Sequence, residues 1–354
     1  MDFRAILKDA VEQKASDVFI VTGIPVTFKV NGVIQPQGAE DEKLKKDDAE
    51  ALLTAAYEEA HRDMSKFIST GDDDFSISIK GLSRFRMSAY KSRGSMSAVI
   101  RLIAFDIPEP TEMSIPDEVM SVVNKTKGLV LVTGPAGGGK STTLACVIDK
   151  INKTRNNHII TLEDPIEFIH KNNKSIISQR EIHADTEDYV TALRASLRQS
   201  PDVILVGEMR DFETIRTAMT AAETGHLIIS TLHSVGAANT IDRIIDAFPP
   251  NQQQQIRVQL SQLLQTVISQ QLIPTVNGKL VPAFEIMQCN GAVRNMIRES
   301  KIHQIDNAIN SFGEEGMISM DNYLIKLFKN GTIAAETAVK YSINPESVER
   351  KINS

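Results

Sequence analysis

Residues 134–141 read Gly-Pro-Ala-Gly-Gly-Gly-Lys-Ser, with a glycine at each end of a six-residue span followed by lysine and serine. An apolar run at 128–133 precedes them, and a helical pattern extends from Lys140 to about Asn152. A strand, a glycine loop and a helix in that order make a phosphate-binding loop of the Walker A type. The glycines let the backbone turn its N–H groups toward phosphate oxygens, and the helix start adds its positive dipole end. The sequence therefore predicts a domain that binds a nucleoside triphosphate.

The loop residues are predicted to divide the work of holding the nucleotide. Lys140 would reach the β and γ phosphates, and the Ser141 hydroxyl would ligate Mg²⁺, with Thr142 beside it in the first helical turn. The backbone that would surround the phosphates comprises Gly134, Pro135, Ala136, Gly137, Gly138 and Gly139.

Composition argues against a membrane segment and against a broad nucleic-acid surface. The 354 residues are 42% hydrophobic, and no apolar stretch approaches the ~20 residues of a membrane helix. The formal charge is −6 at pH 7, whereas a surface that binds nucleic acid broadly is basic. The N-terminus begins as an amphipathic helix without a signal-peptide pattern, and the two cysteines lack metal-ligand spacing. We therefore expect a cytosolic protein without a transmembrane segment, a nucleic-acid partner or a structural metal.

The pattern along the chain predicts two domains and a linker. Residues 1–104 indicate a small α+β domain, in which Asn31-Gly32 joins two short strands as a hairpin. Residues 105–116 hold three prolines within nine positions and predict an extended linker. Residues 117–354 alternate apolar strands with helical patterns, which is typical of a doubly wound α/β nucleotide-binding core.

The second domain contains runs that are apolar almost throughout, as buried parallel strands are. These runs are 128–133, 158–162, 203–206 and 227–231. From about Asn251 the pattern turns helical, and we expect a glutamine-rich amphipathic helix that continues to Leu272. A strand near Leu280–Ile286 and short helices are predicted to complete the chain.

Polar residues follow three of these strands at their carboxyl ends, the edge at which ligands bind in open α/β sheets. Glu163 ends the second strand, Glu208 follows the third, and His233 follows the fourth as a candidate γ-phosphate sensor. An ordinary Walker B strand ends in Asp-Glu, but here Gly207 takes the place of the Asp. We expect Glu163 and Glu208 to share two roles, orienting the attacking water and supporting Mg²⁺. The residues alone leave open which glutamate has which role.

Further candidates lie in the N-terminal domain. Arg84 and Arg86 alternate with apolar Phe85 and Met87 and so share one strand face, and Arg101 precedes the linker. Taken alone, these arginines are ordinary surface charge. An arginine offered by a neighbouring subunit to a γ-phosphate can raise the rate by ~10³–10⁵. That role is the alternative for these three residues.

Four further segments resemble motifs of the type II/IV secretion ATPases. Residues 160–168, Ile-Thr-Leu-Glu-Asp-Pro-Ile-Glu-Phe, look like the Asp box of that family. Residues 200–210, which end Val-Gly-Glu-Met-Arg, look like its atypical Walker B, and 224–233 look like its His box. Residues 292–299, Ala-Val-Arg-Asn-Met-Ile-Arg-Glu, are similar to a signature of its pilus-retraction members and lie outside any nucleotide motif. We expect this last segment to couple hydrolysis to movement.

The resemblance implies a fold, a reaction and partners. It implies a homohexameric ring whose subunits have a PAS-like N-terminal domain and a RecA-like motor domain, with ATP and Mg²⁺ bound between the domains. It implies that Arg84, Arg86 and Arg101 complete the site of an adjacent subunit, that Glu163 activates the water, and that Glu208 lies nearer the metal. The implied partners are an inner-membrane platform protein and, indirectly, the pilin fibre. The implied location is the cytoplasmic face of the membrane at the pilus base.

Three functions remain open at this point. The first is a motor that retracts a type IV pilus in twitching motility, and the second is a pilus or secretion assembly motor. Assembly relatives tend to be longer and to carry a four-cysteine zinc element, which favours retraction for this chain. The third is an accessory or regulatory ring subunit with little hydrolysis of its own. The family's loop commonly has Thr and Ser where this chain has Ala136 and Gly138, which keeps the third function open.

Overall fold

The chain folds into two compact units, and the computed structural model describes residues 2–39, 42–103 and 107–353. The first unit comprises Met1–Asp106 with Glu167–Ile169, and the second comprises Ile107–Ile166 with His170–Ser354. The first two positions of the predicted linker, 105 and 106, lie outside the described residues, as does residue 104. Within the described ranges, no helix combines the length and the apolar character needed to cross a membrane.

The first unit is an α+β structure built on an antiparallel sheet. Its described helices are α1 (Phe3–Glu12), α2 (Lys46–Glu59) and α3 (Ser65–Thr70). Its described strands are β1 (Ala15–Ile20), β2 (Thr27–Val30), β3 (Val33–Pro36), β4 (Asp72–Ile79), β5 (Ser83–Ser92) and β6 (Ser95–Ile103). They form one six-stranded sheet in the order β3-β2-β1-β6-β5-β4.

Local sequence signals explain two features of this sheet. The turn between β2 and β3 has φ 51° at Asn31 and 80° at Gly32, the left-handed pair that a type I′ hairpin turn requires. Along β5, Phe85 and Met87 are buried in the core while Arg84 and Arg86 point to the other face. The predicted alternation is therefore confirmed, because successive side chains of a strand leave its two faces in turn.

The middle of the predicted linker, residues 110–114, is turned and not extended. Residues 110–114 form successive turns, in which the Ser114 N–H donates to the Thr111 carbonyl and the Ile115 N–H to the Pro110 carbonyl. Ile115 is buried in an apolar cluster of the second unit. The expectation of an extended segment was wrong for 110–114 because proline also favours turns. The apolar Ile115 packs into a core that the local composition does not reveal.

The second unit is built on a mostly parallel sheet. Its described strands are β7 (Gly128–Thr133), β8 (His158–Glu163), β9 (Ile176–Glu181), β10 (Val203–Val206), β11 (Leu227–Leu232), β12 (Leu264–Pro274) and β13 (Leu280–Gln288). They form one seven-stranded sheet in the order β13-β12-β7-β11-β10-β8-β9. Only the β12–β13 pair is antiparallel among these described strands. Every predicted strand of this domain is present.

Helices accompany these strands. The described ones are α4 (Asp117–Met120), α5 (Lys140–Thr154), α6 (Tyr189–Ser196), α7 (Phe212–Glu223), α8 (Ala237–Asp246), α9 (Pro250–Leu263), α10 (Gly291–Arg298), α11 (Ile305–Ser311), α12 (Met320–Lys329), α13 (Ala335–Tyr341) and α14 (Pro345–Asn353). Short 3₁₀ turns occupy Ser121–Asn124, Ile302–Gln304 and Gly313–Glu315. The order of strands and helices is that of a RecA-like P-loop core.

Two apolar clusters account for the continuous apolar strands of this sheet. Leu129 and Leu131 of β7 belong to one cluster, whereas Val130 and Val132 belong to the other. Because alternate side chains of a strand leave opposite faces, a strand covered on both faces has no polar positions to alternate with. This double burial explains why the apolar runs identified these strands correctly.

The glutamine-rich segment after Asn251 corrects one expectation. Helix α9 ends at Leu263 and not at Leu272, and 264–274 forms β12, which pairs in parallel with β7. A continuous apolar stretch fits a buried strand and a buried helix equally well. Here Thr266, Val267 and Ile268 are β-branched and buried, and the open edge of β7 provides hydrogen-bonding partners that favour the strand.

Candidate nucleotide site

The phosphate loop connects β7 to α5 at the carboxyl edge of the parallel sheet. Gly134, Gly137 and Gly139 have φ values of 135°, 72° and 82°, a region that residues with a Cβ rarely adopt. At Gly137 a Cβ would have nothing within 4 Å, so this position needs glycine for its backbone angle alone. Pro135, Ala136 and Gly137 are exposed at the tip of the loop. The predicted loop thus has the backbone freedom that a phosphate cradle needs.

The cationic side chain of the loop points into it. Nζ of Lys140 lies 2.9 Å from the carbonyl oxygens of Gly134 and of Pro135, and the residue is only 8% exposed. An ammonium group held by loop carbonyls can exchange those acceptors for phosphate oxygens. Ser141 and Thr142 follow in the first turn of α5, half-buried. These residues fit a nucleotide phosphate with a hydroxyl-ligated Mg²⁺, because cation, hydroxyl and backbone donors converge on one loop.

Glu208 lies just beyond β10 and contacts the guanidinium of Arg210 and the imidazole of His233. Its Oε2 is 2.6 Å from Nε of Arg210, and its Oε1 is 2.8 Å from Nε2 of His233. His233 follows β11, the strand that lies between β7 and β10. The structure thus brings together two residues predicted from different motifs. His226 lies at the opposite end of β11, where Nδ1 is 3.0 Å from Oγ1 of Thr224.

Glu163 ends β8 and accepts hydrogen bonds from two neutral side chains. Oγ1 of Thr161 donates to its Oε1 at 2.6 Å, and Nε2 of Gln179 donates to the same oxygen at 3.2 Å. The Oε1 of Gln179 accepts from the backbone N–H of His170 at 2.8 Å. Sequence reasoning missed Gln179 because β9, on which it lies, was not predicted.

The two glutamates meet at one edge of the sheet. Val206 pairs with Leu162, so that the residues immediately after them, Gly207 and Glu163, lie side by side. A Cβ built on Gly207 would be 3.4 Å from the Cα of Glu163. The Oγ1 of Thr231 also donates to the Gly207 carbonyl at 2.6 Å, which ties β11 to this edge.

Packing explains why glycine stands where an ordinary Walker B has aspartate. A Cβ on Gly207 would lie 2.9 Å from the hydroxyl oxygen of Tyr189 and 3.0 Å from the carbonyl oxygen of Leu162. Both distances are shorter than ordinary van der Waals contact, so a side chain cannot enter without moving its neighbours. The edge therefore has room for Glu208 but not for an acidic residue at 207.

Tyr189 is a site neighbour that sequence reasoning did not find. Burial, followed by the negative charges of Asp164, Glu208 and Glu163, raises the pKa of its hydroxyl above the usual range. The hydroxyl therefore stays protonated among the carboxylates and can donate a hydrogen bond there. Tyr189 opens α6 directly after the capping Asp188, and nothing in that local pattern distinguishes it from a surface tyrosine.

The three candidate arginines belong to the first unit and are described within it. Arg101 of β6 pairs directly across from Arg86 of β5 and from Asp17 of β1. Its Nε is 3.0 Å from Oδ1 of the buried Asp17, while its own side chain is 69% exposed. Nη1 of Arg84 donates to Oγ of Ser78 at 3.2 Å. Arg84 and Arg86 thus share one face of the sheet, as the alternation predicted, and the pairing of Arg101 with Arg86 adds Arg101 to that face.

Comparisons with known proteins agree with this architecture. The sequence profile of the family described as type II/IV secretion system protein matches residues 2–311. The chain is 42% identical over 348 residues to the type IV pilus retractation ATPase PilT of Pseudomonas aeruginosa, covering 98% of this chain and 100% of that protein. It is 47% identical over 276 residues to the twitching motility protein of Neisseria gonorrhoeae, covering 78% of this chain and 74% of that protein.

A solved structure shows the same similarity in three dimensions. The chain matches the crystal structure of the pilus retraction motor PilT with bound ADP at a TM-score of 0.90 and 42% identity. The match covers 99% of both chains.

Proposed function

Because this chain belongs to the type II/IV secretion system protein family, we propose that it is an ATP-hydrolysing motor that drives retraction of a type IV pilus. The observation that carries the proposal is the convergence of Lys140, Glu163 and Glu208 at one sheet edge, together with near full-length similarity to a retraction ATPase. We propose that the working form is a homohexameric ring. Retraction is preferred to assembly because both reported relatives act in pilus retraction or twitching motility.

Each residue of the site has a proposed task in hydrolysis. Lys140 would balance the charge of the transferring phosphoryl group. Ser141 with Glu208 would hold Mg²⁺, which would supply positive charge to neutralise the charge that develops on the phosphate. Glu163 would orient the attacking water and accept its proton. His233, held by Glu208 at 2.8 Å, would report on the γ-phosphate. Arg84, Arg86 and Arg101 would complete the site of an adjacent subunit.

The location and partners of the ring are proposed from the family. We place it in the cytoplasm, associated peripherally with the membrane at the pilus base. There it would dock on an inner-membrane platform protein and act on the pilin fibre indirectly. Imaging a fluorescent fusion with and without the platform protein tests this proposal. Fluorescence should be localised at the pilus base when the platform protein is present and should disperse when it is absent.

Steady-state ATPase activity of the purified protein tests whether it is a motor. The parent should hydrolyse ATP, and Lys140→Ala should abolish hydrolysis while the ring remains assembled by mass. Lys150→Ala, an exposed lysine on the same helix, is the matched control and should behave as the parent. Near-normal turnover by Lys140→Ala would overturn the phosphate-loop assignment. An inactive parent that still binds nucleotide would favour the accessory ring subunit instead.

Deletion of the gene in its source organism tests the direction of movement. Loss of a retraction motor leaves more surface fibres, whereas loss of an assembly motor leaves none. Complementation with the parent should restore the normal number, and complementation with Lys140→Ala should not.

A further inference from the structure

The neighbour of the phosphate loop across the sheet is Gln270 of β12. Ser269 pairs with Thr133 in the parallel ladder between β12 and β7, which sets Gln270 level with Gly134, the first residue of the loop. Gln270 is 2% exposed, and both its backbone and its side chain lie in the interior beside the loop.

The backbone carbonyl of Gln270 packs directly against the phosphate loop. A Cβ on Gly134 would overlap the carbonyl oxygen of Gln270, and one on Gly138 would lie 3.2 Å from the same atom. Glycine at these two positions therefore lets the loop approach β12 closely. This requirement differs from the one at Gly137, where only the backbone angle calls for glycine.

The side chain of Gln270 reaches the start of the following helix. Its Oε1 accepts a hydrogen bond from Oγ1 of Thr143 at 2.7 Å, and Thr143 is 1% exposed. Its Nε2 lies beside Gly139, where a Cβ would be 2.8 Å away. One amide thus contacts both the last residue of the loop and the first turn of α5, which carries Lys140 and Ser141.

We propose that Gln270 is the positioning residue that holds the phosphate loop in its nucleotide-binding geometry. The inference rests on the proposed ATP site and extends it to a residue outside the loop. The loop itself has four glycines and lacks side-chain hydroxyls at Ala136 and Gly138, so its free conformational entropy is high. A buried hydrogen bond from the neighbouring strand lowers that entropy before nucleotide arrives, and preorganisation of this kind raises affinity.

The test compares Gln270→Leu with Gln271→Leu. Leucine keeps most of the volume but removes the amide. Gln271, the next residue of the strand, instead donates from Nε2 to the carbonyl of Tyr341 at 3.1 Å. Gln270→Leu should raise the Kd for ADP and the KM for ATP about tenfold, with a much smaller change in kcat. Gln271→Leu should leave both values near those of the parent.

Variants of Thr143 approach the same hydrogen bond from the other side. Thr143→Val should weaken nucleotide binding as Gln270→Leu does, and Thr143→Ser should recover most of the affinity because it keeps the hydroxyl. The double variant Gln270→Leu/Thr143→Val should bind nucleotide no more weakly than the weaker-binding of the two single variants, because both substitutions remove the same hydrogen bond. Thermal melts of the nucleotide-free proteins identify variants that fail to fold.

The outcomes separate this proposal from a general structural role and from the proposed function. Gln270→Leu that melts earlier than the parent but keeps its Kd and KM would overturn the proposal. So would additive losses in the double variant, or equal losses in Gln270→Leu and Gln271→Leu. If the parent and Gln271→Leu bound no nucleotide, the ATP site itself would be wrong, a result distinct from failure of Gln270 alone.

Discussion

At the scale of single residues, the two acidic groups of the site have different partners. Glu208 lies between Arg210 and His233 at 2.6 and 2.8 Å, and these two positive or protonatable groups fix its carboxylate. Glu163 accepts from the neutral donors of Thr161 and Gln179. A carboxylate that is oriented by hydroxyl and amide donors suits proton transfer from water, whereas one that is held by the guanidinium of Arg210 suits support of a metal shell.

Glu163→Gln should therefore lower kcat by a factor of ~10² or more while nucleotide still binds, because an amide cannot accept the proton of the attacking water. Single-turnover hydrolysis together with an ADP-binding isotherm checks both halves of this expectation. Glu223→Gln, an exposed carboxylate at the end of α7, is the control. Rapid hydrolysis by Glu163→Gln would reject the assignment, and loss of turnover in Glu208→Gln alone would exchange the two roles.

At the scale of elements, β8, β10 and α6 meet at Gly207 without space for a side chain. The carbonyl of Leu162 and the hydroxyl of Tyr189 would both lie within 3.0 Å of an added Cβ. The missing Walker B aspartate is thus a consequence of close packing between strand ends and a helix.

Gly207→Ala should lower the free energy of unfolding by about 1–3 kcal/mol, since overpacking displaces rigid neighbours. In a Tyr189→Phe background the loss should shrink but not vanish, because the Leu162 carbonyl remains 3.0 Å away. Gly291→Ala is the control: nothing lies within 4 Å of its Cβ, and alanine favours the helix that begins there. Chemical denaturation is measured for the parent, Gly207→Ala, Tyr189→Phe, the double variant and Gly291→Ala. Equal stability of Gly207→Ala and Gly291→Ala would contradict the packing argument.

The segment 292–299 covers most of α10 and has an apolar face and a polar face. Val293 and Ile297, four positions apart on α10, are buried. Nη1 of Arg294 donates to the carbonyls of Ser261 and Gln262, both at 2.8 Å, and so satisfies the last turn of α9. Arg294 therefore has an internal contact, which leaves the exposed Arg298 and the half-buried Asn295 beside it as the polar residues for a partner. The coupling role of this segment stays a prediction.

At the scale of the whole molecule, the half-buried His170 links folding to pH. Burial lowers the pKa of His170 to about 4, against a smaller opposing effect of Asp149. Its Nδ1 has no hydrogen-bond partner among the residues that the structure describes. The unfolded chain binds a proton at this residue near pH 6.5, whereas the folded protein does not. The stabilisation is therefore complete above about pH 6.5 and is lost as the pH falls toward 4.

His170→Gln should flatten this part of the stability profile. The melting temperature of the parent should fall from about pH 7 to pH 5 more steeply than that of the variant. His303→Gln removes an exposed histidine and should keep the slope of the parent. Parallel profiles of the parent and His170→Gln would show that this residue does not bind the proton on unfolding.

The proposed ring gives the arginines of the first unit a role in the ATP site of a neighbouring subunit, and mixed rings test that role. If Arg84 and Arg86 act on the site of a neighbour, a subunit with Arg84→Ala and Arg86→Ala keeps a good phosphate loop. Such a subunit retains Arg101 but lacks both Arg84 and Arg86, whereas a Lys140→Ala subunit has these arginines and lacks the phosphate-loop lysine. Rings that mix the two should recover part of the ATPase activity, because some interfaces have both functional halves. Mass spectrometry must verify mixed rings, and verified mixtures without any recovery would reject action between subunits.

Local sequence determined the parts of the protein that depend on short-range chemistry. The phosphate loop follows from glycines, lysine and serine at fixed spacing, and the hairpin follows from Asn31-Gly32. The buried parallel strands follow from apolar runs, because burial on both faces leaves no other composition. Glu163, Glu208 and His233 could be predicted as neighbours since parallel strands bring their carboxyl ends to one edge.

Tertiary structure alone decided the features that depend on partners distant in the chain. The run 264–274 became a strand, and not the end of a helix, because β7 offered it an open edge. That pairing places Gln270 next to the phosphate loop. Gly207 has no space for a side chain because Leu162 and Tyr189 pack against it. The structural propensity of a residue depends on its neighbours in the sequence. Whether a backbone group finds a hydrogen-bonding partner, or a side chain finds space, depends on which distant segments pack against it.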